Sequence, residues 1–426
     1  MQQVQNGGRM CPSGFAFRRR IIVCGLALSA GAASAQSLDV AIKAAWARSA
    51  QGQSAEARQG EAQSKLGAAD RWFAAPPSLS FGQRTDRLSG NRGLREDEIE
   101  LALPLRAWNA RATDQAIAVA ESEQIGVDLR YAKWRIAGEV RERYWQVHLA
   151  DIDQRLAAQR VAALTALAAD VARRLAAGEL ARLDAHRAEA ERDAAAVALA
   201  ESELKAQQAR QSFRQMTGLA IGAAAIGPTT IGEADPSGQS RVPVRLRSPI
   251  ESHVAYQALA SRVALAVARA SQARQVSRDP LELTLTSTRE RAEMAEPFRS
   301  SARIGIRIPL ASASRNQPRI AETAAQRIEA ETDLTRAREQ IVNDIDLASD
   351  AVARWTALQP VAQRRAASVR EAARLVDTSF RLGESDLPTR LRAESERLDA
   401  ERAAERASVE LARAISQLHQ ALGLLP

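Results

Sequence analysis

The sequence predicts a mainly α-helical chain with a small antiparallel β part, built as two copies of one unit. Three observations carry this. Sliding residues 173–218 by 205 positions onto residues 378–423 superposes Gly178 on Gly383, Glu179 on Glu384, Glu191-Arg192 on Glu396-Arg397 and Gly218 on Gly423. The same offset carries IELALPL at 99–105 onto IGIRIPL at 304–310, so strand-like and helix-like parts are duplicated together. Finally, only 4% of residues are aromatic while 26% are charged. Such a chain has little bulk for a spherical core and favours long helices packed along their lengths.

Residues 1–35 hold Arg9, Arg18, Arg19 and Arg20 without an acid, then an apolar run at 21–30, then Ala33-Ser34-Ala35. This is the pattern of an export signal cleaved after Ala35. The apolar run is too short to span a bilayer, and Ile22-Val23 lacks the small residue expected before a lipidated cysteine. Cys11 and Cys24 leave with the signal, so the mature chain has no thiol, disulfide or cysteine metal site. The four arginines also account for half of the net charge of +8. Elsewhere Arg and Lys alternate with Glu and Asp without aromatic platforms, which excludes a nucleic-acid surface. No later segment offers roughly eighteen uninterrupted apolar residues, so any passage through a membrane is made by strands.

In chain order, the first repeat covers 36–218. A helix is predicted over 38–73, capped by Ser37 with Leu38, Ile42 and Trp46 on one stripe, and stopped by Pro76-Pro77. A hairpin follows at about 77–104. Period-two alternation puts Leu79, Phe81, Ile99, Leu101 and Leu103 on one face, and Ser80, Glu98 and Glu100 on the other. Next come a long helix over 109–177, a reversal at Gly178, and a return helix over 181–217. Residues 219–248 form a Gly- and Pro-containing linker with a short strand at 242–246.

The second repeat, 249–426, has a helix over 249–276 and a hairpin at about 281–309. There Leu281, Leu283 and Leu285, then Ile304, Ile306 and Ile308, alternate with polar residues. A long helix over 314–382, a reversal at Gly383 and a return helix over 387–422 complete it. Each long helix is about 100 Å and must be packed by neighbours throughout. The expected covers are the helices 181–217 and 249–276 on the first, and 387–422 with 38–73 on the second. Four strands cannot close a barrel around a polar lumen. Either the sheet packs on something of its own or chains assemble; with no other bulky core, assembly is favoured, and three chains give twelve strands.

The order of signal, hairpin, long helix, Gly-centred tip and return helix, repeated twice, resembles the TolC-like outer-membrane efflux proteins. The segment Arg381-Leu-Gly-Glu-Ser-Asp-Leu387 looks like their heavy-metal, CzcC-like branch. The resemblance implies a homotrimer with a twelve-stranded barrel in the outer membrane of a Gram-negative bacterium and an α-helical barrel in the periplasm. It also implies a periplasmic adaptor and an inner-membrane pump of the RND type as partners, heavy-metal cations as cargo, and no cofactor. The tips would dock the adaptor through Leu175, Gly178, Glu179, Leu180, Leu382, Gly383, Glu384 and Leu387. Asp184 matches an acidic position at the tunnel entrance, whereas Thr389 and Arg392 depart from that pattern at the second repeat. Arg381, Asp386 and Arg392 are candidates for charge pairs that hold the entrance shut.

Enzyme readings find no support. The four histidines are scattered, and Asp184, His186 and Glu189 read as one polar helix face. No nucleophile triad, phosphate-cradling loop or zinc-helix motif occurs, and methionine is scarce. Trp108 and Phe298 flank strands, where membrane interfaces favour aromatic residues. A soluble periplasmic coiled-coil adaptor would need only the helices, and the alternating hairpins argue against it. Drug efflux and protein secretion remain alternative cargoes for a channel.

Overall fold

The computed structural model describes residues 38–106, 108–221, 250–276, 279–310 and 313–425. The export signal, the cap Ser37 and the expected strand at 242–246 lie outside them.

The N-terminal helix, expected to be continuous over 38–73, is three pieces: α1 (Leu38–Arg48), α2 (Ala50–Gln53) and α3 (Ala55–Ala69). Ser49 makes the break. It turns extended, its Oγ accepts the N–H of Gly52 at 3.0 Å, and that Oγ donates to the carbonyl of Trp46 at 2.7 Å. A Cβ on residue 52 would sit 2.0 Å from the Trp46 carbonyl oxygen, so the turn requires glycine. The helix also ends early, because Phe73 bridges to Leu105 and the Ala74 N–H donates to the Pro104 carbonyl at 2.9 Å.

The remaining elements are β1 (Ser78–Thr85), β2 (Arg95–Leu105), α4 (Trp108–Ala176), α5 (Arg182–Thr217), α6 (Val254–Gln275), β3 (Leu281–Arg291), β4 (Arg299–Arg307), α7 (Ala313–Arg381) and α8 (Leu387–Ala421). α4 and α7 are each 69 residues long and start 205 positions apart. Gly178, Gly218, Gly383 and Gly423 all have positive φ, at 79°, 75°, 78° and 77°. The repeat read from residue identities is therefore a repeat of backbone conformation.

The two hairpins form one antiparallel sheet in the order β1-β2-β3-β4. Its register puts Leu79, Leu101, Leu285 and Ile304 in one row and Leu103, Leu283 and Ile306 in the next. Ser80, Glu100, Thr286 and Arg303 form a row on the opposite face. The apolar face is bare: Leu79, Phe81, Ile304 and Ile306 are 73, 69, 74 and 68% exposed. β1 and β4 each keep one edge unpaired among the described residues.

Three of the expected covers hold, α5 and α6 on α4 and α8 on α7, whereas the N-terminal helices lie on α4 instead of α7. α5 and the N-terminal helices share one side of α4, while α8 and α6 lie between α4 and α7. The first pair meets in a core of Leu38, Ile42 and Ala45 with Val140, Trp145 and Phe213. α8 meets α4 where Trp134 Nε1 donates to the Gln420 carbonyl, and Gln420 Nε2 donates back to the Trp134 carbonyl, both at 3.0 Å. Gly138 permits this approach, since a Cβ there would lie 2.7 Å from Gln420 Nε2. Periodicity tells which face of a helix is buried but not which neighbour buries it, and hence the displaced N-terminal helices.

One buried polar group makes stability depend on pH. His148, 7% exposed, packs against the rings of Tyr144 and Trp145 at 4.4 and 5.7 Å, and burial pushes its imidazole down to about 4. The folded chain holds it neutral where the unfolded chain, at 6.5, takes a proton. Stability present above pH 6.5 is therefore lost as pH falls towards 4, by up to about 3 kcal/mol. Helix melting followed by circular dichroism in detergent should show this decline, and His148→Gln should flatten it. His253, also held down by burial, supplies a remaining slope of the same sign.

Candidate functional site

The end of the helical body away from the sheet consists of two reversals built alike. The N–H of Gly178 donates to the Leu175 carbonyl at 3.0 Å and that of Glu179 to the Arg174 carbonyl at 2.9 Å. Gly383 and Glu384 repeat this to Phe380 and Ser379, at 3.1 and 2.9 Å. These are Schellman caps, which need the left-handed conformation at the glycine. A Cβ on either glycine would meet nothing within 4 Å, so the requirement comes from φ alone and the tips stand clear of the body.

Of the residues expected at the docking surface, Gly178, Glu179, Gly383 and Glu384 are exposed, and Leu382 is 70% exposed. Leu175 and Leu180 are half-buried. Leu387 is corrected: at 2% exposure it is core, packed with Leu164, Leu167, Val171, Ala188, Ala195 and Phe380. Its position at the start of α8 faces the first hairpin instead of solvent, because the apolar side of that turn seals the junction between the two hairpins.

The entrance candidates separate in the same way. Asp184 is half-buried in the first turn of α5, where its carboxylate meets the positive end of the helix dipole. Asp386 caps α8, accepting the Thr389 N–H at 3.1 Å, and its hydrogen bonds to Thr389 hold its carboxyl below the usual range. Arg381 turns back to Asp377 on its own helix at 2.7 Å. Arg392 is exposed and acts on Asp386 only through its field. Within the chain, then, Arg381, Asp386 and Arg392 are not a set of mutual charge pairs.

The groups that do join the two hairpins escaped the sequence reading. Phe380, 2% exposed, lies between two guanidiniums, with Arg174 at 5.0 Å and Arg390 at 4.8 Å from its ring centroid. Arg174 also donates to the Phe380 carbonyl at 3.3 Å. Each arginine is held by carboxylates: Arg390 by Asp377 at 2.6 Å and by Asp170 at 3.8 Å, Arg174 by Asp170 at 3.4 Å. The result is a clasp in which α4 carries Asp170 and Arg174, α7 carries Asp377 and Phe380, and α8 carries Arg390. A signal for it was present. At the 205-residue offset these positions read Leu375, Ser379, Ala172, Leu175 and Ala185, so the clasp occupies places where the two copies differ.

Further up, α5 and α7 are the outermost helices of the lower body and bear exposed apolar residues at heptad spacing. These are Leu183, Val197 and Leu204 on α5 and Leu347, Val361 and Leu375 on α7, all 50 to 70% exposed. No group of His, Cys, Asp and Glu able to hold a metal ion occurs among the described residues, and no described helix is long and apolar enough to cross a membrane.

No protein-family model and no curated protein matches this sequence. Solved structures do. The outer membrane protein VceC of Vibrio cholerae superposes with a TM-score of 0.72 at 15% identity, covering 91% of this chain and 96% of its own. The chain has the fold of an outer-membrane channel. CusC, whose structures follow folding and transmembrane channel formation, gives 0.72 at 16% identity over 91 and 93% of the two chains. The open MtrE outer membrane channel of Neisseria gonorrhoeae gives 0.72 at 17% over 91 and 89%. The shared architecture includes the mainly helical body and four-stranded sheet expected from the TolC-like resemblance.

Proposed function

We propose that this chain is the outer-membrane channel of a tripartite efflux system in a Gram-negative bacterium, working as a homotrimer with a periplasmic adaptor and an inner-membrane RND-type pump. The observation that carries the reading is the sheet. It presents a bare apolar face, a polar opposite face and two open edges at the end of a polar helical body about 100 Å long. Open edges and an unsealed apolar face are unstable in water, and both are satisfied if three copies close twelve strands in lipid. The heptad stripes on α5 and α7 support the same assembly, because edge helices with unpartnered apolar rows suit packing between copies. Detergent-dependent extraction and heat-modifiable migration as a trimer are expected; a chain that stays monomeric and soluble without detergent would rule the channel out.

Heavy-metal cations are the proposed cargo, on the resemblance of residues 381–387 to the metal branch. A deletion strain is expected to become sensitive to one or a few of copper, silver, zinc, cobalt, cadmium and nickel. Sensitivity to dyes and antibiotics alone would reassign the cargo to organic compounds. Docking of the adaptor is assigned to the exposed tip residues Gly178, Glu179, Leu382, Gly383 and Glu384. Gly383→Trp should impair export while trimers still assemble. The φ of 78° costs a bulky residue roughly 1–2 kcal/mol, a local strain too small to unfold the body. Normal export by that variant would count against the tip as the docking point.

A further inference from the structure

The apolar face of the sheet changes character towards the hairpin turns. Along β2 the outward-facing residues run Leu105, Leu103, Leu101, Ile99 and then Asp97 and Arg95. Their partners on β3 run Leu281, Leu283, Leu285, Ser287 and then Arg289 and Arg291. Because the register is unbroken, Arg95, Arg289 and Arg291 lie on the same face as the apolar rows, with Asp97 the one carboxylate among the outward strand positions. They stand about 7 and 13 Å beyond Ile99 along the strand. With strands tilted by about 40° these are depths of roughly 5 and 10 Å, which put Arg289 within, and Arg95 and Arg291 at the outer margin of, a headgroup layer roughly 5–7 Å thick.

These arginines are held in place. The ring of Phe298 lies between Arg289 and Arg291, 4.6 and 4.9 Å from their guanidinium carbons. Arg291 Nε donates to the Gly93 carbonyl at 3.2 Å, tying the β3–β4 turn to the β1–β2 turn. Met294 N–H completes the tie to the Arg92 carbonyl at 3.1 Å. At the other rim of the sheet Arg106, Arg111 and Arg315 are paired with Asp114, Asp70 and Asp279, at 3.2, 2.7 and 2.5 Å. On the outward face of the rim away from the helical body, three arginines stand against one carboxylate, Asp97, which bridges Arg95 at 3.2 Å. A polar body about 100 Å long stays in the periplasm, so the turns face the cell exterior.

We infer that Arg289 and Arg291, with Arg95 beside them, bind the phosphate groups of phosphorylated glycolipid in the outer leaflet. The guanidinium fork matches phosphate oxygens two at a time, while the apolar rows below accept acyl chains of the same lipid and Phe298 fixes the arginines at the interface. The inference rests on the channel reading, since it needs the apolar face to be lipid-facing.

The test is reconstitution of the full-length protein into phosphatidylcholine vesicles with graded amounts of lipid A bearing both phosphates, or of the same lipid dephosphorylated. The readout is the temperature at which the heat-modifiable form is lost. Bisphosphorylated lipid A is expected to raise that midpoint, and the dephosphorylated lipid or inorganic phosphate to leave it unchanged. In Arg289→Gln/Arg291→Gln the lipid fraction giving half the shift should rise about tenfold. Arg299→Gln/Arg303→Gln, altered on the inward face, should behave as wild type. Equal midpoints with and without the lipid phosphates would overturn the inference for the wild-type chain itself, whether or not the variants fold. So would an equal shift with inorganic phosphate, or a double variant that keeps the full response. A chain with no heat-modifiable form in any vesicle would overturn the channel reading, and this one with it.

Discussion

Chains carrying Ile306→Arg are expected to fail at assembly, with trimer in the outer membrane falling below about a tenth of wild type. Ile306 is 68% exposed on the apolar face, in the row of Leu283 and Leu103 near the middle of the band. An arginine facing lipid at that depth costs about 2–4 kcal/mol. A trimer holds the substitution three times at well-separated sites, so the penalties add to roughly 6–12 kcal/mol, comparable with the whole stability of a domain. Ser301→Arg is the matching control. It points to the polar face, where Arg303 and Arg307 already stand, and should assemble normally. Heat-modifiable trimer in membrane fractions measures both. Assembly of Ile306→Arg together with loss of Ser301→Arg would invert the two faces.

Legibility in the sequence followed how local each determinant is. Strand faces need only period two, and the assigned apolar rows are those of the sheet. Helix ends were readable because Gly178 and Gly383 take a conformation few other residues adopt. Even Pro360, inside α7, did not end that helix, since packing on α8 sustains it. What escaped was non-local. Nothing near Ser49 says that its hydroxyl will cap a new helix instead of solvating an old one. Nothing in the stripe of the N-terminal helices says that they will cover α4 beside α5 instead of α7. Leu387 looked like a surface leucine beside an exposed tip because its burying partners, Val171 and Phe380, lie on α4 and α7. The clasp joins Arg174 to Phe380 and Asp170 to Arg390 across more than 200 positions of sequence, and only the failure of the repeat at those places marked them.

Removing the clasp's ring is the second large effect. Phe380→Ala deletes a side chain 2% exposed in the tip core, a loss of about 3–5 kcal/mol, and leaves Arg174 and Arg390 without the ring that both contact. Phe380→Leu keeps most of the volume and loses chiefly the two cation–π contacts, about 0.5–2 kcal/mol each. Arg390→Ala should fall between them or lower, because Asp377 keeps Arg381 and Asp170 keeps Arg173 and Arg174 as partners. The sheet and the upper core of α1, α4 and α5 contain none of these groups, so trimers should persist in all three variants. If the tunnel opens by separation of the tip helices, the closed state is the one the clasp stabilises. A difference of 3 kcal/mol moves a closed-to-open ratio by more than a hundredfold. Conductance of the purified channel in planar bilayers should therefore rise in the order Leu, then Ala at position 380, with hydrogen exchange accelerating over residues 377–391. Faster exchange with unchanged conductance would mean that the clasp merely joins the hairpins, and that the hairpins move as one body when the channel opens.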